Sequence, residues 1–318
     1  MKTRILSIIL ALLLPCLLSC SSQSGKKEIY VIVKSTGSDF WHSVEDGVNA
    51  AATELNVSVT FEGPENEEDY ERQNEMIRRA VENGADAIVL SAIDYEKNAS
   101  AVDEAVRAGV KTVTIDSDVD SSLVEMFIGT DNYAAGEKAA AAVYEMFGTK
   151  EAIRIGIVNC YESTANVTQR EEGFRAYVNA LPNAEIVGTV HVNSNTQSAV
   201  IGTKTIMEQH PEINVLIGFN EWTTLGVGTV IRDEGLKDSV HGIGFDTNIV
   251  SIDMIESGEM DALVVQNSFA IGFLGVRYAE SILNGEAPDT NELFTDVTVV
   301  TRENLFDDEV QKILFRFR

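Results

Sequence analysis

Positive charge is scarce in this sequence. Its 318 residues include 24 Lys and Arg against 50 Asp and Glu, which gives a formal net charge of -26 at pH 7. No basic segment reverses this balance locally, and so acidic a chain would be repelled by the phosphate backbone of DNA or RNA. We therefore expect no nucleic-acid partner.

Motifs for metal binding, phosphate binding and covalent catalysis are missing as well. The sequence has no zinc-ligand spacing, no Walker loop and no nucleophile elbow, and Gly242 and Gly244 lack the third glycine of a dinucleotide-binding pattern. The four histidines are scattered along the chain, at His42, His191, His210 and His241. We therefore expect no metal, no cofactor and no enzymatic activity.

The first twenty residues have the composition of an export signal. Lys2 and Arg4 precede a nearly uncharged apolar run over residues 5–18, which is typical of a secretory leader. The run has about fourteen residues, whereas a membrane-spanning helix needs about 20. Residues 17–20, Leu-Leu-Ser-Cys, resemble the lipobox of bacterial lipoproteins. The resemblance implies lipid on Cys20 and a mature chain anchored outside the cytoplasm, and an ordinary leader without lipid is the alternative.

Cysteine occurs only three times. Once Cys16 is removed with the leader and Cys20 carries lipid, Cys160 is the single free thiol. No intramolecular disulfide could then form, even in an oxidising compartment, so the fold must depend on its core. Cys160 follows an apolar run and is interpreted as a small residue at a strand end. Losing Lys2 and Arg4 would change the net charge from -26 to -28.

The rest of the sequence is typical of an α/β protein with two domains. Hydrophobic residues make up 44% of the 318 residues, and one core stops growing at roughly 250–300 residues. Short β-branched runs alternate with amphipathic stretches, which predicts βα units in a mainly parallel sheet. The predicted strands cover residues 28–34, 57–61, 87–91, 111–116, 126–129, 153–159, 185–190, 215–220, 241–246 and 262–266. Because ten strands would crowd one open sheet, we predict two doubly wound Rossmann-like lobes that divide near Asp131.

The amphipathic stretches predict helices that pack on these sheets. In the first, Trp41, Val44, Val48 and Leu55 recur at steps of three or four residues, with polar residues between them. A second stretch around Met76 ends at an Asn-Gly pair, and later helices are predicted over residues 134–146, 167–181, 196–209, 223–234 and 270–283.

Polar residues collect directly after the predicted strands, where ligands bind in open α/β sheets. They include Ser38, Ser91, Asp116, Ser117, Asn220, Asp246 and Gln266, with the aromatic pair Phe40 and Trp41 after the first strand. Carboxylates and amides can hydrogen-bond neighbouring hydroxyls, and an aromatic ring can cover the apolar face of a sugar. Each residue taken alone also has an ordinary structural interpretation, as a helix cap or a core residue.

Eight segments in a fixed order carry a family resemblance. They are residues 38–41 (SDFW), 83–88 (NGADAI), 113–116 (VTID), 128–132 (IGTDN), 170–174 (REEGF), 220–221 (NE), 242–246 (GIGFD) and 264–266 (VVQ). With them, residues 28–299 resemble the ribose- and galactose-type substrate-binding proteins of bacterial ABC sugar importers. No one segment is specific, whereas their order and spacing together are.

The resemblance implies a type I periplasmic binding protein fold, with two lobes joined by three hinge strands. The signal peptide would cover residues 1–19 and a tether residues 20–27. The N-terminal lobe would take residues 28–130 plus 267–295, and the C-terminal lobe residues 131–266 plus 296–318. Such a protein captures a small carbohydrate between its lobes. We expect a lipid-anchored monomer that delivers the sugar to an ABC permease. A receptor that signals to a membrane sensor kinase or chemoreceptor is the alternative.

The resemblance also implies which residues bind the ligand. It places Ser38, Phe40, Trp41, Ser91 and Asp116 on the first lobe's side of the cleft, and Asn220, Asp246 and Gln266 on the other side. Four positions depart from the ribose-binding pattern: Ser38 replaces an asparagine, Ser117 and Thr168 replace arginines, and Ser194 replaces an aromatic residue.

These departures predict a cleft that is roomier and more acidic than a ribose site. Asp116, Glu221 and Asp246 would be opposed only by Arg170, whose role in this pattern can be structural. We therefore expect a neutral or cationic ligand rather than an anionic one. The acidic segment 65–71 is interpreted as solvated surface without a partner.

Overall fold

Two six-stranded sheets, each with helices on both faces, form the protein in this computed structural model, which describes residues 25–161 and 164–314. The predicted signal peptide and the lipidation site at Cys20 lie outside the described residues. The strands are β1 (Glu28–Ile32), β2 (Ser58–Glu62), β3 (Ala87–Leu90), β4 (Lys111–Ile115), β5 (Met126–Thr130), β6 (Ile153–Cys160), β7 (Ala184–Val192), β8 (Val215–Gly218), β9 (His241–Phe245), β10 (Ala262–Gln266), β11 (Glu292–Thr295) and β12 (Val297–Thr301). The helices are α1 (Asp39–Leu55), α2 (Tyr70–Glu82), α3 (Ala99–Arg107), α4 (Asn132–Phe147), α5 (Ala165–Asn179), α6 (Thr196–Gln209), α7 (Glu221–Asp233), α8 (Ile249–Ser257), α9 (Ser268–Leu283) and α10 (Asp308–Leu314).

The two sheets have the same strand order. The first runs β11-β5-β4-β3-β1-β2 and the second β12-β10-β9-β8-β6-β7. All pairs in the first sheet are parallel. In the second sheet the edge strand β12 is antiparallel to β10, and the other pairs are parallel. This architecture confirms the predicted α/β fold of two doubly wound lobes.

The central strands of each sheet are buried on both faces, which explains why they are largely continuous apolar runs rather than alternating ones. In the first lobe α1 and α9 cover one face, and α2 and α3 cover the other. In the second lobe α4 and α5 cover one face, and α6, α7 and α8 the other. Within the described residues no helix has both the length and the apolar character needed to cross a membrane.

The chain passes between the sheets three times. Strand β5 belongs to the first sheet, but the helix after it, α4, packs on α5 of the second lobe. Strand β10 belongs to the second sheet, and α9 after it packs on α1 of the first. The third crossing is at Asp296, which separates β11 from β12. Three neighbouring connections at one side of the molecule can act as a hinge.

Candidate functional site

Two aspartates lie at corresponding ends of the two sheets with an unusual backbone. Asp116 follows β4 and has φ of 58°, and Asp246 follows β9 and has φ of 64°. Among the described non-glycine residues, only Asn56 is also in this left-handed region. Such a conformation costs about 1–3 kcal/mol at a non-glycine residue and is concentrated at functional sites. Both aspartates line the same cavity between the lobes.

A small cavity of about 20 Å³ lies between the lobes where these carboxylates meet. The side chains that line it are Lys34, Ser38, Phe40, Trp41, Glu67, Asp116, Asn166, Arg170, Asn220, Glu221, Trp222, Asp246 and Gln266. Two larger cavities, of about 270 and 300 Å³, flank it along the cleft. The central cavity has room for about one water molecule, so the lobes are closed and must part to admit a larger ligand.

Eight of the predicted site residues line this cavity, and three do not. The eight are Ser38, Phe40, Trp41, Asp116, Arg170, Asn220, Asp246 and Gln266. Ser91 lies behind the cavity and donates its hydroxyl to Asp116 Oδ2 at 2.8 Å. Ser117 is buried beside Asp116, and its hydroxyl has no hydrogen-bond partner among the described residues. The Thr168 hydroxyl donates to the carbonyl of Thr164, the residue that precedes α5, at 3.0 Å, so its predicted ligand contact stays a prediction.

Both oxygens of Asp116 are engaged by polar groups. Oδ2 accepts from Ser91 and lies 3.2 Å from Lys34 Nζ. Oδ1 accepts from Asn166 Nδ2 at 3.0 Å, and Asn166 belongs to α5 of the other lobe. The carboxylate therefore takes part in a contact that exists only while the lobes are together.

The aromatic pair on the first lobe combines a core role with a place at the cavity. Trp41 is 1% exposed and packs in the core between α1 and the sheet. Its Nε1–H donates to Glu67 Oε1 at 2.8 Å. The Phe40 ring meets Trp41 edge to face at a centroid distance of 4.9 Å. Ser38 caps α1 by accepting the Trp41 N–H at 3.4 Å, so the sequence motif also builds the start of this helix.

The second lobe contributes a buried arginine and the strained Asp246. Arg170 donates from Nε to Asn132 Oδ1 and from Nη1 to the Phe219 carbonyl, both at 2.8 Å. Its Nη2 is buried and has no partner among the described residues. Burial lowers the pKa of Arg170 and raises that of Asp246, and the attraction between the two charges opposes both shifts.

Gln266 connects the second lobe to the hinge, and Asn220 caps a helix at the cavity. Gln266 Nε2 donates to Asp246 Oδ1 at 2.7 Å, and its Oε1 accepts from Thr130 Oγ1 at 2.9 Å. Asn220 caps α7 through Oδ1, and its Nδ2 donates to Cys160 Sγ at 3.1 Å. Asn220 is therefore a helix cap that also lines the cavity, and its predicted contact with a ligand stays a prediction.

Two charged residues in the cavity overturn expectations from the sequence. Arg170 is not the only cation there, because Lys34 follows β1 and is 5% exposed. The segment 65–71 is not entirely solvated surface, because Glu67 lines the cavity with its side chain only 11% exposed. A lysine is rarely buried in a protein unless it is paired, so a lysine next to an apolar strand is a signal that could have identified Lys34.

In the described ranges no group of three or more His, Cys, Asp or Glu could hold a metal ion.

Comparison with known proteins places this geometry in a family. The periplasmic binding protein domain matches residues 29–287. Ribose import binding protein RbsB of Bacillus subtilis is 26% identical over 292 residues, which cover 88% of this chain and 93% of that protein.

Two solved structures have the same fold over nearly their whole length. An ABC transporter solute binding protein from Agrobacterium vitis with bound D-fucose has a TM-score of 0.86 and 31% identity, over 91% of this chain and 100% of that one. The XylFII-LytSN complex matches with a TM-score of 0.80 and 26% identity, over 88% and 99%. Homologues of this kind are transport binding proteins and not enzymes, as expected here. The chain belongs to the periplasmic binding protein domain family.

Proposed function

We propose that this protein captures a small carbohydrate between its lobes, outside the cytoplasmic membrane, and delivers it to an ABC importer. The observation that carries the proposal is the pair of strained aspartates, Asp116 and Asp246, which face one cavity from two lobes. The similarity to sugar-binding relatives supports it independently. The moving units would be residues 28–130 plus 267–295 and residues 131–266 plus 296–318.

Recognition would depend on polar groups that are already in place. Asp116 and Asp246 would accept ligand hydroxyls, Gln266 would bind one hydroxyl from the hinge, and Phe40 would cover an apolar ring face. The free Nη2 of Arg170 would donate to a ligand oxygen. A sugar that leaves one of these buried groups unpaired would lose about 1–3 kcal/mol of binding free energy, and this loss would be the source of selectivity.

The charges of the cavity favour a neutral or cationic ligand. Four carboxyl groups, Glu67, Asp116, Glu221 and Asp246, face two cations, Lys34 and Arg170. An anionic ligand would add to an already negative site and would meet repulsion at short range. Tighter binding of sugar phosphates or sugar acids than of neutral sugars would contradict this part of the proposal.

A thermal-shift screen of residues 21–318 tests the proposal, with pentoses, hexoses, polyols, amino sugars, sugar phosphates and nucleosides. Ligand at about 100 times its dissociation constant should add ~2.7 kcal/mol to the free energy of unfolding. We expect a neutral sugar to raise the melting temperature, and Asp116→Asn to abolish the shift. Asparagine tolerates the left-handed backbone, so this variant removes the charge and keeps the shape.

The matched control is Asp120→Asn, at an exposed position outside the cavity lining. It should leave the shift unchanged. A nucleoside or amine that shifts the protein while no sugar does would contradict the carbohydrate class.

The lipid anchor is part of the same proposal and is supported by the sequence around Cys20. Labelled fatty acid should enter the full-length protein in cells, and Cys20→Ala should block its entry. Labelling of the variant at the parental level would contradict an anchor on Cys20.

A sensing receptor is the second candidate, which the similarity to XylFII in complex with LytSN favours. Deleting the gene separates the two functions. Loss of sugar uptake would support delivery to an importer, whereas intact uptake with a lost transcriptional response would support sensing.

A further inference from the structure

Two buried charged residues of the first lobe, Lys34 and Glu67, are not among the ligand contacts of the proposed function. Lys34 Nζ lies 3.2 Å from Asp116 Oδ2 and 4.0 Å from Glu67 Oε2. The side chains of Lys34 and Glu67 are 6% and 11% exposed, and both line the central cavity. Two charged groups with such low exposure require partners. The partners present here satisfy only some of the hydrogen-bond donors of Lys34 and acceptors of Glu67.

The two oxygens of Glu67 differ in their surroundings. Oε1 accepts the Trp41 Nε1–H at 2.8 Å and the Ser35 hydroxyl at 3.3 Å. Among the described residues, Oε2 has only the ion pair with Lys34 at 4.0 Å, a distance too long for a hydrogen bond. The bonds to Oε1 hold the carboxylate in place, so Oε2 is a positioned acceptor at the cavity.

Lys34 has hydrogen-bond donors next to the Glu67 acceptor. Its ammonium group carries three N–H donors, and the Asp116 carboxylate can satisfy one of them at 3.2 Å. The Trp41 ring centroid, 5.8 Å away, adds a weak attraction and no hydrogen-bond acceptor. At least one donor therefore remains next to the free acceptor of Glu67.

We propose that Lys34 and Glu67 are specificity-determining contacts that recognise two adjacent hydroxyls of the bound sugar. Glu67 Oε2 accepts a hydrogen bond from one hydroxyl, and Lys34 Nζ donates a hydrogen bond to the oxygen of its neighbour. This inference rests on the proposed function and names a feature of the ligand: a free vicinal diol, uncharged and unphosphorylated. Neither residue belongs to the binding pattern that the sequence resemblance implied.

The segment that carries Glu67 also contacts the other lobe. Glu68 Oε1 accepts the backbone N–H of Ser194 at 2.8 Å. The Ser194 hydroxyl in turn bonds Cys160 Sγ at the end of β6, at 3.1 Å. The contact between Glu68 and Ser194 can form only when the lobes are together, so in the closed form the segment that carries Glu67 is joined to the second lobe.

The competing explanation is that Glu67 only holds Trp41 in place. Glu67→Gln separates the two roles, because glutamine keeps one carbonyl oxygen for Trp41 and Ser35 but turns an N–H donor toward Lys34. Glu65→Gln is the matched control: it makes the same charge change in the same segment, at an exposed position.

Calorimetric titration gives the test, with D-ribose, D-arabinose, D-xylose, D-galactose and D-fucose, and with the monodeoxy derivatives of the sugar that binds best. We expect Glu67→Gln to weaken binding of that sugar about 10- to 100-fold, the loss of affinity expected for a charge-assisted hydrogen bond. The loss should vanish for the deoxy derivative that lacks the contacted hydroxyl. Glu65→Gln should change affinity less than about twofold.

Equal losses for the sugar and all its deoxy derivatives would overturn the proposal, because Glu67 would then act only through Trp41. Unchanged affinity in Glu67→Gln would overturn it as well. If the parent bound no sugar of this series or of the wider thermal-shift screen, the proposed function would fail and this inference with it. Should Glu67→Gln not fold, Glu67→Asp keeps the charge and withdraws the oxygens by one methylene. That variant should lose the same affinity for the same hydroxyl.

Discussion

Burial changes the ionisation of Glu221, a carboxyl group that lines the cleft. It is the first residue of α7, is 7% exposed, and accepts from Asn248 Nδ2 at 2.8 Å. Across the lobes it accepts the Phe40 N–H at 3.3 Å. Burial raises the pKa of Glu221 from 4.5 to about 7, although the hydrogen bond from Asn248 opposes the shift.

The raised pKa predicts a pH-dependent contribution to stability. A group with a higher pKa in the folded chain binds its proton more tightly when folded. Its contribution is therefore fully present below pH 4.5 and is lost as the pH rises to about 7. Glu221→Gln cannot titrate, so its stability relative to the parent should increase over this window by up to about 3 kcal/mol. Urea denaturation at several pH values measures the difference.

Glu303→Gln is the control for this experiment, because Glu303 is exposed. Its stability relative to the parent should change little between pH 4.5 and 8. A difference between Glu221→Gln and the parent that stays constant over the same range would contradict the raised pKa of Glu221.

At the residue scale, the sequence predicted positions that follow strands and missed those brought in by loops. Asp116, Asp246 and Gln266 could be predicted because a parallel sheet places all its strand ends at one edge. Glu67 could not, because the path of the segment between β2 and α2 depends on tertiary contacts such as the bond to Trp41. The apolar run predicts a strand up to residue 34, whereas β1 ends at Ile32 and leaves Lys34 beyond the strand end.

At the element scale, each lobe contains a pair of helices in which a glycine of each helix faces the backbone of the other. Gly47 of α1 and Gly272 of α9 face the opposing backbone in the first lobe, as Gly136 of α4 and Gly173 of α5 do in the second. A Cβ atom at any of these positions would lie within 2.1 Å of a backbone oxygen of the other helix. In both lobes, a pair of glycines thus lets two helix axes lie close together.

This contact predicts that Gly47→Ala destabilises the protein although alanine favours helix formation. The gain in helix propensity is about 1 kcal/mol. The added methyl group would meet the Phe269 carbonyl oxygen at 2.1 Å and force α1 and α9 apart. We expect a net loss of about 1–3 kcal/mol in the free energy of unfolding, measured by urea denaturation.

Gly228→Ala in α7 is the matched control. Its methyl group would meet the Met254 side chain, which can change rotamer, rather than a backbone atom. The loss should be clearly smaller than in Gly47→Ala. A Gly47→Ala variant as stable as the parent would show that the helices can separate at little cost.

Long, periodic elements were predicted from the sequence, and short ones were missed. Helix α6 was predicted with the observed bounds, whereas α3 and α8, with nine residues each, were not predicted. Two turns are too few to establish a helical period. Strands β11 and β12 are edge strands and only partly buried, so they lack the continuous apolar run of the central strands.

At the scale of the whole molecule, the closed form is held by contacts that cross the cleft. They join Phe40 to Glu221, Asp116 to Asn166 and Glu68 to Ser194. A bound sugar would add contacts to both lobes and shift the population further toward closure. We expect small-angle X-ray scattering to show a smaller radius of gyration after addition of a sugar that raises the melting temperature.

A sugar that does not raise the melting temperature is the control and should leave the radius unchanged. An unchanged radius with the binding sugar would mean that the free protein is already closed or that the lobes do not move. Either result would contradict closure driven by the ligand.

The threefold crossing of the chain between the lobes determines when each lobe can be completed during synthesis. The first lobe needs α9 and β11, and both follow the last parallel strand of the second lobe. At about 5–20 residues per second, the ribosome takes on the order of ten seconds to synthesise the intervening chain. Until then α1 lacks the helix that covers it. Ribosome-bound chains should therefore stay sensitive to protease in residues 39–55 until α9 has emerged, and under the proposed function this delay would leave time for export before folding.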